Sequence, residues 1–220
     1  MPLRAVIFDF DGLIIDTESA IYQSWRELFE SHGHTLTIED WSQCVGTDFS
    51  SAYDPKKELE QFTGRSFDWK LQEQELTARV HELLTGFDAL PGVRERLNEA
   101  RELGLPCSVA SSSPLSWVSK HLDHLDLRRH FTNVSCRDHV ERIKPHPDLF
   151  LDAARKLGAA ADEVVIFEDS LNGLNAARAA GMRCVVVPGP TTQHLDFTGA
   201  WHRLDSLGST SLAELASMLE

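Results

Sequence analysis

Residues 8–19 read FDFDGLIIDTES, an apolar run that ends in two acids, Asp9 and Asp11, with Gly12 behind them. Two residues apart on an extended chain, their side chains project to the same side. Carboxylates held together raise the proton affinity of one of them unless a cation intervenes. One can stay an anion while the other carries a proton, a division that suits a nucleophile beside a general acid/base. Gly12 lets the backbone turn and bring its N–H groups close to an anion. A lone DxDG is more often a turn and a helix cap, so the assignment depends on what else the chain places nearby.

Three later stretches add to it. VASSSP puts Ser111 just past an apolar run, where its hydroxyl could donate to an oxygen anion. RIKPHPD offers Lys144, fixed by Pro145 ahead of a helical pattern, and VVIFEDS puts Glu168 and Asp169 past another apolar run, with Ser170 placed to cap a helix. Each feature alone has an ordinary structural explanation. Their succession, each at the end of a strand-like run, points to one assembled site.

The elements that must position these residues have two textures. Residues 3–8, 105–110, 164–167 and 184–187 are short, continuous, β-rich runs, the pattern of strands buried on both faces of a parallel sheet. Residues 132–136 form a weaker fifth candidate. Helical patterns lie between them, ending at Gly104, Gly158 and Gly181. Strand alternating with helix predicts an α/β fold with right-handed crossovers, in which ligands sit beyond the carboxyl ends of the strands. Residues 17 to about 86 break the rhythm: Ile21, Trp25, Leu28, Phe29 and His32 trace one helical face, and Trp69, Leu76, Val80, Leu83 and Leu84 another. We read this stretch as a helical insertion, with the sheet domain resuming through Pro91 and Gly92.

Composition restricts the function classes. The 220-residue chain has 34 acids against 21 Lys and Arg, a formal charge of −13, which repels nucleic acid and anionic membranes. An anionic substrate therefore needs a local attractor such as a metal ion. Cys44, Cys107, Cys136 and Cys184 are scattered, without the spacing of a disulfide framework or zinc site. With no signal-like or membrane-spanning run, we expect a soluble, cytoplasmic protein acting on a small molecule. Its oligomeric state, monomer or loose homodimer, is not legible. The pairs His32/His34 and His121/His124 lack ligand spacing, and the tryptophans read as packing.

DFDGLIIDTE, VASSS, KPHPD and FEDSLNGLNAARAAGM, in this order, resemble the four motifs of the haloacid dehalogenase superfamily. The insertion resembles the cap of the subgroup that includes β-phosphoglucomutase, phosphoglycolate phosphatase and sugar-phosphate phosphatases. The resemblance implies a Rossmann-like parallel-sheet core over 1–16 and 87–220 with an α-helical cap over 17–86. It also implies a Mg²⁺-dependent phosphatase that forms an aspartyl phosphate on Asp9, with Asp11 as acid/base. Mg²⁺ would be held by Asp9, the Asp11 backbone carbonyl and Asp169, with Glu168 direct or water-bridged. Ser111 and Lys144 would hold phosphoryl oxygens, and Gly12, Glu18 and Ser112 would contact the substrate, a small phosphorylated metabolite. Charge then balances before the phosphate arrives if Asp11 is protonated.

Asp11 argues against a dehalogenase, which lacks the second acid, and DKTGT of the transporting ATPases is absent. A β-phosphoglucomutase has a cap histidine where this chain has Ile21, so mutase activity is the second choice and a non-catalytic phospho-ligand binder the third. Asp16 to Glu18 and Val45 to Ser51 are the candidate specificity surface. The latter offers Asp48 and no base before Lys56, which leads us to expect a neutral, hydroxyl-rich leaving group such as a sugar.

Overall fold

The computed structural model describes residues 2–45 and 53–219. Five of its strands are β1 (Ala5–Phe8), β2 (Cys107–Ala110), β3 (Asn133–Ser135), β4 (Val164–Glu168) and β5 (Arg183–Val186). All coincide with the runs marked in the sequence. A sixth, β6 (His202–Arg203), has only two residues and no apolar pattern that could have announced it. The strands pair in parallel in the order β3-β2-β1-β4-β5-β6. The order reverses between β1 and β4, so their carboxyl ends open the crevice where open α/β sheets hold ligands.

Alternation along the strands divides the core in two. Val6 and Phe8 of β1 join Val109, Val165 and Phe167 on one face, and Ala5 and Ile7 join Ile166, Cys184 and Val186 on the other. The first face is covered by α5 (Val93–Glu102), α6 (Leu115–His124) and α9 (Leu212–Ser217), the second by α7 (Asp148–Leu157) and α8 (Leu171–Ala179). Both faces are buried, which explains why the strands read as continuous apolar runs.

The segment after β1 is helical: α1 (Thr17–Ser31), α2 (Ile38–Trp41), α3 (Pro55–Thr63) and α4 (Trp69–Leu83). Trp25, Phe29, Leu36, Trp41 and Leu59 form a hydrophobic cluster of their own here. No helix among the described residues is long and apolar enough to cross a membrane.

One packing detail sets the site. Glu168, at the end of β4, is fully buried beneath the first turn of α8, and a Cβ at Gly173 would lie 1.8 Å from its carboxylate. In an open helix Gly→Ala is worth about 1 kcal/mol of added stability. At this position the sign reverses, because the new methyl and the Glu168 carboxylate need the same space. We expect Gly173→Ala to lower the melting temperature and abolish activity; an unchanged or higher melting temperature would show that Glu168 is not confined there.

Candidate active site

The acids gather where the strand order reverses. Asp9 follows β1, and its N–H donates to the Phe167 carbonyl of β4 (2.9 Å), which holds it level with Glu168 and Asp169. Carboxylate oxygens of Asp9, Glu168 and Asp169 lie within 4.8 Å of one another. Lys144 enters from the loop before α7, its peptide to Pro145 being cis. The buried ammonium donates to Asp9 Oδ1 and to Glu168 Oε1, the latter at 2.6 Å.

Burial dominates the electrostatics. It pushes the Asp9 carboxyl up to about 8 against the pull of Lys144, and Glu168 and Asp11 add to the rise. Asp169 and Glu18 are driven well above the ordinary carboxylate range, first by burial and then by neighbouring acids. For Lys144 burial favours losing the proton, but Asp9 and Glu168 outweigh it and hold the ammonium above its usual range. The site thus gathers more negative charge than one lysine neutralises.

Within the cluster the acids are held differently. Glu168 Oε2 accepts from the Asp169 and Ser170 N–H groups (both 2.9 Å) and the Ser170 hydroxyl (3.0 Å). Ser170 also caps α8 by accepting from Gly173 N–H (3.0 Å), as its position in the sequence suggests. Asp169 Oδ2, by contrast, is buried with no hydrogen-bond partner among the described residues. A buried carboxylate oxygen left unpaired is costly. Beside two more carboxylates it is a hard, all-oxygen donor set that fits Mg²⁺. Gly12 makes the close approach possible: its φ is +83°, and a Cβ there would lie 2.1 Å from Asp169 Oδ2.

Asp11 is fully engaged. Its Oδ1 accepts from Thr17 Oγ1 (2.8 Å) and Trp117 Nε1 (2.9 Å), and its Oδ2 from Ser111 Oγ (3.1 Å) and Ser113 Oγ (2.7 Å). Ser111 also accepts the Ser113 N–H at 2.9 Å. Ser111 and Lys144, expected to face a phosphoryl group, are in this structure bonded to carboxylates. Ser113 and Trp117 were not legible as site residues. Ser113 is one of three consecutive serines, and nothing in the sequence separates Trp117 from a packing tryptophan.

Above the acids lies a cavity of about 890 Å³. Asp9, Asp11, Lys144 and Asp169 line its floor, and Ile21, Trp25, Trp41, Leu76 and Val80 of the helical segment line the opposite wall. Glu18 and Ser112 also line it. The two walls touch where His81 of α4 stacks on Trp117, ring centroids 5.8 Å apart, and where Asn172 Nδ2 donates to the Val45 carbonyl (2.7 Å). Val45 is the one member of the second specificity stretch that is described; residues 46–51, Asp48 included, lie outside the described residues.

Comparison with known proteins agrees with the motifs. The family model for haloacid dehalogenase-like hydrolases matches residues 6–187. YhcW of Bacillus subtilis (strain 168), a protein to which phosphatase activity is ascribed, is 42% identical over 221 residues, covering 99% of this chain and 98% of its own length. Hexitol phosphatase B of Escherichia coli (strain K12) is 33% identical over 193 residues, 87% of this chain and 86% of that protein. The crystal structure of CbbY from Rhodobacter sphaeroides in complex with phosphate is 28% identical with a TM-score of 0.75, covering 98% of this chain and 99% of that one. The chain belongs to the haloacid dehalogenase-like hydrolase family.

Proposed function

We propose that this phosphoric monoester hydrolase transfers the phosphoryl group of a small sugar phosphate first to Asp9 and then to water, with Mg²⁺ as its cofactor. The observation that carries the reading is the convergence of Asp9, Glu168 and Asp169 on one point with a single lysine among them. A dianionic phosphate meets strong repulsion there unless a further cation is present. Asp9, Asp169 and the Asp11 carbonyl are the residues that would hold the ion. Glu168, whose Oε2 is already occupied by the start of α8, stands beside them through Oε1. When bound, Mg²⁺ neutralises the gathered charge and polarises the phosphoryl oxygens. Hexitol phosphatase B, by its name a phosphatase of sugar-alcohol phosphates, supports the sugar assignment.

The chain's own groups supply the rest. With Oδ1 held by Lys144, Asp9 presents Oδ2, which accepts no hydrogen bond among the described residues. Attack forms the Asp9–phosphorus bond as the ester P–O bond breaks, and the leaving oxygen takes a proton from Asp11. Water then attacks phosphorus, Asp11 takes back a proton, and the Asp9–phosphorus bond breaks to release inorganic phosphate. The four donors around Asp11 fix its carboxylate beside the reacting groups. Its acid role requires one donor to give way. Residues 17–86 serve as a cap over a core of 1–16 and 87–220, shielding the reaction from bulk water. Against phosphosugar isomerisation, the runner-up, stands isoleucine at position 21 of the cavity lining, where a β-phosphoglucomutase carries its cap histidine.

Two measurements test the reading. Phosphate release from a panel of sugar phosphates should vanish in Asp9→Asn and in EDTA-treated protein, returning in the latter with Mg²⁺. Release that survives either treatment overturns it. The second is thermal stability against pH. Asp9 rises from 3.8 to about 8 on folding, so the folded protein holds this proton more tightly than the unfolded chain. Stability from this group is complete at low pH and is lost as pH rises through those values. In EDTA the melting temperature should therefore fall as pH rises from about 4 to about 8, and the rise produced by Mg²⁺ should be larger at the higher pH. A Mg²⁺ effect independent of pH would contradict the assignment of these carboxylates as its ligands.

A further inference from the structure

Four cationic side chains line the cavity, and the reaction accounts for one of them. Lys144 is neutralised by Asp9 and Glu168, and Lys56, on α3, is paired with Glu73 of α4. Lys120 and Arg137 have no carboxylate within ion-pair distance among the described residues, although the chain carries 34 acids. The nearest acid in sequence to Arg137, Asp138, is engaged elsewhere: its carboxylate accepts the Leu115 N–H at the start of α6 (2.7 Å).

Arg137 is held in place by the loop that follows β2. Its backbone N–H donates to the Ser113 carbonyl (3.3 Å) and its Nε to the Ser112 carbonyl (2.8 Å), while its two terminal nitrogens make no hydrogen bond among the described residues. The Ser112 hydroxyl beside it is buried and likewise has no partner. Lys120 lies one turn along α6 from Ser116, which shares the cavity wall, and among the described residues its Nζ meets only His81 Nε2, at 3.5 Å. An anchored guanidinium with free terminal N–H groups, an unpaired hydroxyl and an unpaired ammonium are together a donor set for an oxyanion. None of the three is used on the reacting phosphoryl group, and about 890 Å³ is far more room than that group needs.

We propose that Arg137, Lys120 and Ser112 form a second anion subsite, and that the substrate is a phosphorylated sugar bearing another anionic group, a second phosphate or a carboxylate. The inference rests on the phosphomonoesterase reading above. It replaces the neutral leaving group expected from residues 45–51, a stretch whose lack of a base is made good by cations from the core side of the cavity. A protein of net charge −13 gains from this arrangement a local positive field that orients the substrate with one anionic end on the subsite and the other over Asp9.

Glucose 6-phosphate, 6-phosphogluconate and glucose 1,6-bisphosphate share one phosphate and differ in the group at the other end, so they test the subsite directly. For the wild type we expect kcat/KM to favour one or both of the doubly anionic compounds, and which one identifies the second group as carboxylate or phosphate. In Arg137→Met and in Lys120→Met that preference over glucose 6-phosphate should fall about tenfold, the factor expected for one charge-assisted hydrogen bond, and mostly through KM. Variants that slow all three compounds alike would show general steering of phosphate and overturn the subsite, as would a wild type that hydrolyses them without the preference. Calorimetric binding of the same three to Asp9→Asn with Mg²⁺ separates the two readings. Preference in binding that is lost in the Arg137→Met and Lys120→Met backgrounds upholds the subsite even if the wild type hydrolyses none of them, an outcome that would remove the phosphatase reading alone. Equal binding of all three removes the subsite.

Discussion

The burial of Lys144 between Asp9 and Glu168 is the interaction on which the site depends. A charged lysine is rarely removed from water, because the desolvation cost of an ion is several kcal/mol even after the surroundings relax. It is tolerable here only because two carboxylates, buried for their own reasons, accept its hydrogen bonds. Those carboxylates belong to the carboxyl ends of β1 and β4, adjacent strands whose register is set by the parallel ladder. Taking away the lysine leaves uncompensated buried charge, a change that typically costs about 3–5 kcal/mol. The geometry of the acid cluster and folding stability are therefore tied to the same three side chains.

The ledger of charge around them is deliberately unbalanced. Asp169 and Glu18 bring further acids to the same crevice, and burial drives both toward their protonated forms. A divalent ion held there would remove the repulsion that burial and proximity have built up. The glycines at 12 and 173 are the steric condition for it. One leaves room for the Asp169 carboxylate and the other for that of Glu168, so the charge cluster is as compact as the backbone allows.

Asp11 shows the other side of the same economy. It sits outside the ion-paired group and is held by four hydrogen bonds from three parts of the chain, the start of α1, the loop after β2 and helix α6. The indole that contributes one of them stacks on His81 of the helical segment. Asp11 is thereby linked to the helical wall of the cavity. A second contact joins the two parts of the chain: Asn172 Nδ2, in the first turn of α8, donates to the Val45 carbonyl. Helix α8 thus begins beside Glu168 and Asp169 and also touches the helical segment, so both walls of the cavity share one element.

Much of this was open to reading in the amino-acid order. Continuous apolar runs identify strands buried on both faces, and an acid, hydroxyl or lysine that ends such a run must emerge at the sheet's carboxyl edge. Asp9, Ser111, Lys144, Glu168 and Asp169 are legible for that reason, and the four motifs in order are specific to the family. Strand β6 was not legible, because two residues have no periodicity. Neither were Ser113 and Trp117 as partners of Asp11: hydrogen bonds spanning about a hundred residues leave no local pattern, and a tryptophan that donates to a carboxylate looks the same in sequence as one that packs. The sequence by itself determined the fold class, the family and the order in which its motifs are met. Only the tertiary structure decided which donors hold Asp11, which acid oxygen is left for a cation, and which cations stay unpaired on the cavity wall, because each depends on distances between segments whose separation along the chain carries no information about their separation in space.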